Sequence, residues 1–265
     1  MRLFVWALWS LLGVLGAVAQ AANVMEVNLV FPRNETYTTD QQMPVVFAIR
    51  NAHLGPLLKP TVRYLIYNNS DLGQSMPQHE HQFLNASWTD HEPYFVYTFI
   101  NMTVEGSYRV LWITSWAHCN GTGDRMSFIS DDKTELLDFT IKKDTPATDL
   151  VALTLPGRGQ ACNASPGVAI GITNDTLAAP FPHNGNCAVM DPVTPVDASS
   201  DPCQLSIDEA TAERIQTTIQ ERLCSGLISE RPADCPAKEN AAQTGAAQGM
   251  WCLAAVGGTM GLLLA

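Results

Sequence analysis

Between Asn23 and about Lys143 the chain is written as short apolar runs separated by turn residues. Met25-Glu26-Val27-Asn28-Leu29-Val30-Phe31 alternates apolar with polar positions until Pro32, the period of a strand with one face buried. Val45-Val46-Phe47-Ala48-Ile49 is a continuous apolar run, which suits a central strand. Val62 to Tyr67, Tyr94 to Ile100, Tyr108 to Trp116 and Leu136 to Ile141 follow. Each is rich in β-branched or aromatic residues and bounded by Gly, Pro, Asn or Asp. Runs of this kind with few helical patterns predict an antiparallel β-sandwich of immunoglobulin-like size over residues 22–145.

From Thr145 onward Pro, Gly, Ala, Thr and Asp dominate, and the pattern changes. One helix stands out over residues 207–224. Ser206-Ile207-Asp208-Glu209 reads as a capping box, Ala212, Ile215, Ile219 and Leu223 form an apolar stripe, and Gly226 stops it. Too little apolar sequence surrounds this helix for a core of its own, so residues 146–236 are read as an appendage stapled by disulfides.

The chain ends add an address. Arg2 is the only charge before the apolar run Leu3 to Val18, which closes on the small residues Ala17-Val18-Ala19-Gln20-Ala21. That is the layout of a secretory signal peptide over residues 1–21, cut after Ala19 or Ala21. Met250 to Ala265 is apolar and uncharged, shorter than a spanning helix, and has no basic flank. The polar stretch Gln243 to Gly249 and the small triplet Asn240-Ala241-Ala242 precede it. Together they predict a glycolipid (GPI) attachment signal, with Asn240 as acceptor, residues 237–249 as attachment site and spacer, and residues 250–265 as the tail removed. The expected partner is therefore the outer leaflet of the plasma membrane.

Of the seven cysteines, Cys252 lies in that tail, and Cys119, Cys162, Cys187, Cys203, Cys224 and Cys235 remain as an even set for disulfides. Geometry limits their pairing. A continuous helix rising about 1.5 Å per residue separates its ends by roughly 24 Å, so Cys203 and Cys224 are not expected to bond. Cys235 is expected to reach one of these two, and the other to reach Cys119, Cys162 or Cys187. Seven N-x-[ST] sequons, at Asn34, Asn68, Asn85, Asn101, Asn120, Asn163 and Asn174, fit a chain that meets the glycosylation machinery. Removing the signal takes one base from 15 and removing the tail takes no charge, leaving 14 bases against 26 acids. That acidity, without a Lys/Arg cluster, disfavours nucleic acid as a partner.

The opening Glu26-Val27-x-Leu29-Val30-Phe31-Pro32, the strand end Trp116-Ala117-His118-Cys119, and the block Pro202-Cys203, capped helix, Cys224, Cys235-Pro236-Ala237 with its anchor signal form one set. This set resembles a family of fungal GPI-anchored surface proteins. The resemblance covers nearly the whole mature chain. It implies fold, address and cysteine pattern, and no activity.

Candidate chemistry is sparse. His79 and His81 share one face of an extended segment, so two imidazoles there point to a metal, with His91 or a carboxylate as third ligand. The bland reading is a solvated loop broken by Gly73 and Pro77. A copper-binding N-terminal histidine brace fails, because no histidine precedes His53. No G-x-S-x-G, H-E-x-x-H or D-T/S-G motif is present, and no cofactor is implied. Trp88, Tyr94, Trp112 and Trp116 form a candidate glycan platform, weighed against core packing, the commoner fate of strand aromatics. Two functions are carried forward. One is a non-catalytic cell-surface or cell-wall glycoprotein that binds glycan, such as cell-wall polysaccharide, or a surface partner. The other is an extracellular metal-dependent or glycan-active enzyme using His79, His81 and His91.

Overall fold

The computed structural model describes residues 23–75, 79–82, 92–121, 126–155, 167–179, 185–191, 202–225 and 235. The chain forms two compact units, one ending at Ile215 and one beginning at Gln216. The described strands of the first unit are β1 (Val24–Phe31), β2 (Thr36–Tyr37), β3 (Asp40–Arg50), β4 (Thr61–Asn68), β5 (Asp71–Ser75) and β6 (His79–Gln82). They continue with β7 (Tyr94–Met102), β8 (Gly106–Asn120), β9 (Ser127–Ile141), β10 (Val168–Ala178) and β11 (Asn186–Met190). One sheet has the order β11-β10-β1-β3-β7; the other has β2-β9-β8-β4-β5, with β6 also paired to β4. Every described pairing is antiparallel except the short β2–β9 ladder. The mainly β architecture read from the sequence is therefore the one that forms.

Period-two patterning explains the second sheet. Val62, Tyr64 and Ile66 of β4, and Tyr108, Val110, Trp112, Thr114 and Trp116 of β8, point inward and are buried. Most of their sequence neighbours are half-buried or exposed, as expected for a sheet with one wet face. In β1 and β3 burial runs unbroken through Val27–Phe31 and Met43–Ile49, so both faces are covered. One face meets the second sheet, where the Phe47 ring lies 5.5 Å from Trp112 and 5.9 Å from Tyr64. On the other, α2 (Leu150–Thr154) and a 3-10 turn at Pro202–Gln204 pack on β1. A short α1 (Gly55–Leu58) sits in the β3–β4 connection, ended by Lys59 in the left-handed region.

The expected break near residue 145 does not separate a sandwich from an appendage. β10 adds to the edge of β1, with Val24 opposite Gly171 and Val27 opposite Val168, and β11 extends the sheet further. The cause is the run Val168-Ala169-Ile170-Gly171-Ile172, all buried, which needs a sheet partner and finds the open edge of β1. The β8–β9 hairpin is also longer than its apolar residues suggest. Asp131 and Asp132 are strand residues opposite Trp116 and Ser115, with exposed side chains.

Two disulfides are fully described. Cys119 of β8 bonds Cys187 of β11, joining the two sheets with a Cα separation of 5.6 Å. Cross-linking residues 68 apart restricts the unfolded chain by about 4 kcal/mol on loop-entropy grounds. In the second unit Cys224 bonds Cys235 across 11 residues. Cys203 is disulfide-bonded too; Cys162 lies outside the described residues. The helix α3 (Glu209–Cys224) is continuous, and Cys224, bonded to Cys235, does not bond Cys203, as its length requires.

A buried arginine ties the C-terminal segments to the first sheet. Arg33 follows the cis Phe31–Pro32 bond and is 4 % exposed. Its Nη1 donates to the carbonyl of Leu153 (3.1 Å), and Nη2 donates to those of Thr154 (3.3 Å) and Leu205 (3.2 Å). Its own backbone is gripped by Tyr37, whose hydroxyl accepts from the Arg33 N–H at 2.8 Å and donates to the Arg33 carbonyl at 3.2 Å. Thr154 completes the joint: its Oγ1 donates to the Leu150 carbonyl and accepts from the Ile207 N–H, both at 2.8 Å. Arg33→Met removes three charge-assisted bonds and strands their carbonyls, so urea unfolding should show a loss of about 3 kcal/mol. Arg33→Lys should recover only part of it, because one ammonium cannot reproduce the planar fork.

Candidate functional site

A cleft of the first unit lies between the start of β7 and the first turns of α3. It measures about 570 Å³ and is lined by Glu92, Pro93, Tyr94, Phe95 and Tyr97 on one side and Asp208, Ala210, Thr211 and Arg214 on the other. Phe95 and Tyr97 stand opposite Ala48 and Val46 of β3. Because Phe47 points at the second sheet, this register puts both rings on the opposite face of the first sheet. Tyr97 is braced by Phe99, ring centroids 5.8 Å apart and edge-on.

Both carboxylates are held by backbone N–H groups. The Glu92 carboxylate accepts from the N–H groups of Asn51 (3.0 Å) and Ala52 (2.8 Å), so it fixes the turn after β3. Asp208 caps α3, its Oδ1 accepting from the Thr211 N–H at 2.6 Å. The cap is thus Asp208, two residues later than the Ser206 box read from the sequence; Ile207 N–H is instead taken by Thr154. The Thr211 backbone N–H, then its hydroxyl, hold the Asp208 carboxyl below the usual carboxylate range. Arg214 Nη2 donates to Thr211 Oγ1 at 2.7 Å. An ionised carboxylate, a guanidinium and three aromatic rings around one cleft suit a ligand with hydroxyls on its rim and apolar C–H faces.

The histidine pair lies elsewhere. His79 and His81 of β6 stand opposite Tyr64 and Val62 of β4, so they share a face, as the alternation predicts, and that face is the interior one. His79 stacks on Tyr64 with centroids 5.0 Å apart, and His81 lies 6.4 Å from both Tyr64 and Phe47. Burial lowers the pKa of both imidazoles, helped at His81 by the charge of His79, and burial pushes the Tyr64 hydroxyl up. Among the described residues no three His, Cys, Asp or Glu side chains gather with metal-ligand geometry. His91 lies outside the described residues.

Two members of the expected aromatic platform are core residues: Trp112 is 0 % and Trp116 3 % exposed, because even positions of β8 face inward. Trp88 lies outside the described residues, and Tyr94 lines the cleft. Sequence reading missed Phe95 and Tyr97, whose spacing looks like ordinary strand packing, and Asp208 and Arg214, whose approach to β7 has no local signature. Of the sequon asparagines, Asn34, Asn101, Asn120 and Asn174 are exposed and Asn68 is half-buried. Asn85, Asn163 and Asn240 lie outside the described residues, as do both chain ends.

Asp208→Ala should lower stability at neutral pH by about 1 kcal/mol, the usual value of a helix N-cap. The folded-state pKa of Asp208 lies below its unfolded one. The cap therefore contributes fully above the unfolded value of about 4 and is lost as pH falls through the folded one. Urea melts at pH 7 and pH 2.5 check this: the wild-type advantage over the variant should be smaller at the lower pH.

Comparison with curated proteins gives no match. The sequence matches a family described as a domain of unknown function, DUF7136, over residues 20–235, a span that holds both sheets, the buried Arg33 joint and every cleft residue. The chain belongs to the DUF7136 family.

Proposed function

We propose that this protein is a secreted, GPI-anchored surface glycoprotein, of the fungal type its sequence resembles, that binds glycan without transforming it. The observation carrying the binding half is the β7–α3 cleft. Tyr94, Phe95 and Tyr97 supply ring faces for pyranose C–H groups, and Asp208, Thr211 and Arg214 supply acceptors and donors for hydroxyls. Its carboxylates support binding rather than proton transfer: Glu92 is committed to two amide N–H groups, and Asp208 is held ionised as a helix cap. The stacking of His79 and His81 on Tyr64 favours a packing role for them over metal ligation. Disulfide bonding at Cys119, Cys187, Cys203, Cys224 and Cys235 supports an oxidising compartment.

Titration calorimetry of the tail-less secreted protein against soluble cell-wall polysaccharides should detect binding. Tyr97→Ala should weaken it about tenfold, or about 1.4 kcal/mol. Equal affinity for the variant removes the cleft from the reading. The anchor is tested separately. Phosphatidylinositol phospholipase C, or truncation after Asn240, should release the protein into the medium, and a truncated chain that stays on the membrane refutes anchoring.

A further inference from the structure

The strand register gathers three of the sequons at one end of the sandwich. Asp40 stands opposite Met102, which places the C-terminal end of β7, with Asn101, beside the start of β3. Phe31 stands opposite Val46, so β1 leaves the sheet toward that same end, and Asn34 follows it. In the second sheet Asn68 stands opposite Tyr108, and Gly106 opposite Ile141. The two sheets are joined there, since β2 pairs with the end of β9 and the Tyr37 ring lies 6.3 Å from Phe139. Asn120 and Asn174 lie toward the opposite end, where β8 turns into β9 and where β10 runs beyond its pairing with Val24.

The local environments suit attachment. Asn101 is exposed between buried Ile100 and Met102, and Asn34 is exposed beside buried Arg33. Asn68 is half-buried, but its Oδ1 takes the Ser70 N–H at 2.9 Å, which directs Nδ2 away from that turn. The residue beside that nitrogen is Gly106, whose lack of a side chain leaves Nδ2 uncrowded on that side: a Cβ there would stand 3.5 Å from it. The β7–β8 turn lies at this same end. Its tip, Thr103-Val104-Glu105, is exposed, and Val104 at 64 % is the most exposed large apolar residue described. The turn is pinned by Tyr108, whose hydroxyl donates to the Val104 carbonyl at 2.8 Å, yet an exposed tip of this kind is where proteases cut.

We propose that N-linked glycans on Asn34, Asn68 and Asn101 form a single cap over this end and shield the β7–β8 turn from proteolysis. The inference rests on the secretory reading above. In each attachment Nδ2 bonds to the anomeric carbon of a lipid-pyrophosphate-linked oligosaccharide. The bond from that carbon to the pyrophosphate oxygen breaks with its electron pair, and the amide proton passes to a base of the transferase. Each glycan adds a large hydrated volume at a surface position.

The full chain, expressed in a eukaryotic secretory host, tests the cap by glycopeptide mass mapping and by digestion with thermolysin, which cuts on the amino side of exposed apolar residues. All three asparagines should carry glycan. Cleavage between Thr103 and Val104 should be several-fold faster in Asn101→Gln and in Thr103→Ala, which removes the sequon while keeping the asparagine. Asn101 found bare while Asn120 or Asn174 carries glycan overturns the cap and leaves the secretory reading standing. Both variants cut at the wild-type rate also overturn it, whereas glycan on no sequon at all overturns the secretory reading together with the cap.

Discussion

The Arg33 guanidinium is the constraint on which the first unit depends. A charge removed from water must be compensated, and here three backbone carbonyls from two separate segments converge on it. Leu153 and Thr154 end α2, where the helix dipole already favours a cation, so the arginine serves as both cap and cross-brace. Leu205 lies four residues before α3, so the same side chain fixes where that helix begins. Remove the fork and the carbonyls are left buried without donors, a cost that exceeds the worth of any one bond.

This clamp explains why the two sheets are built differently. The second sheet needs only alternation, since one face is packed and the other is wet. The first is covered on both sides, by the second sheet and by segments that follow β9, and β1 and β3 are accordingly buried without a break over Val27–Phe31 and Met43–Ile49. Asn28 and Thr154 are among the polar residues buried in this zone. The Cys119–Cys187 bond then ties the sheet that β10 and β11 complete back to β8.

The cleft is a by-product of the same geometry. α3 begins where Arg33 and Thr154 set residues 205–207, and its first turns face the start of β7, so Asp208, Thr211 and Arg214 oppose Phe95 and Tyr97. Neither side is specialised alone: β7 offers ordinary strand aromatics, and the helix start offers an ordinary cap. Their juxtaposition makes a concave surface with ring faces and fixed charges, and the charges are pre-oriented because both carboxylates already accept from backbone N–H groups and Arg214 donates to the Thr211 hydroxyl.

By itself the sequence determined the strands, because a two-residue period and bounding turn residues are local properties of the chain, as β1 and β4 illustrate. It also determined the helix and the exclusion of a Cys203–Cys224 bond, which follow from the apolar stripe and the rise per residue. Local pattern carries no information about partners. That Val168–Ile172 would find the edge of β1, that His79 and His81 would face Tyr64 rather than solvent, and that Trp112 and Trp116 would be core were decided by which strand faces which. The cleft was least legible of all. Tyr94 and Asp208 are 114 positions apart in the numbering, and only the tertiary structure, through a buried guanidinium gripping carbonyls at 153, 154 and 205, brings their segments together.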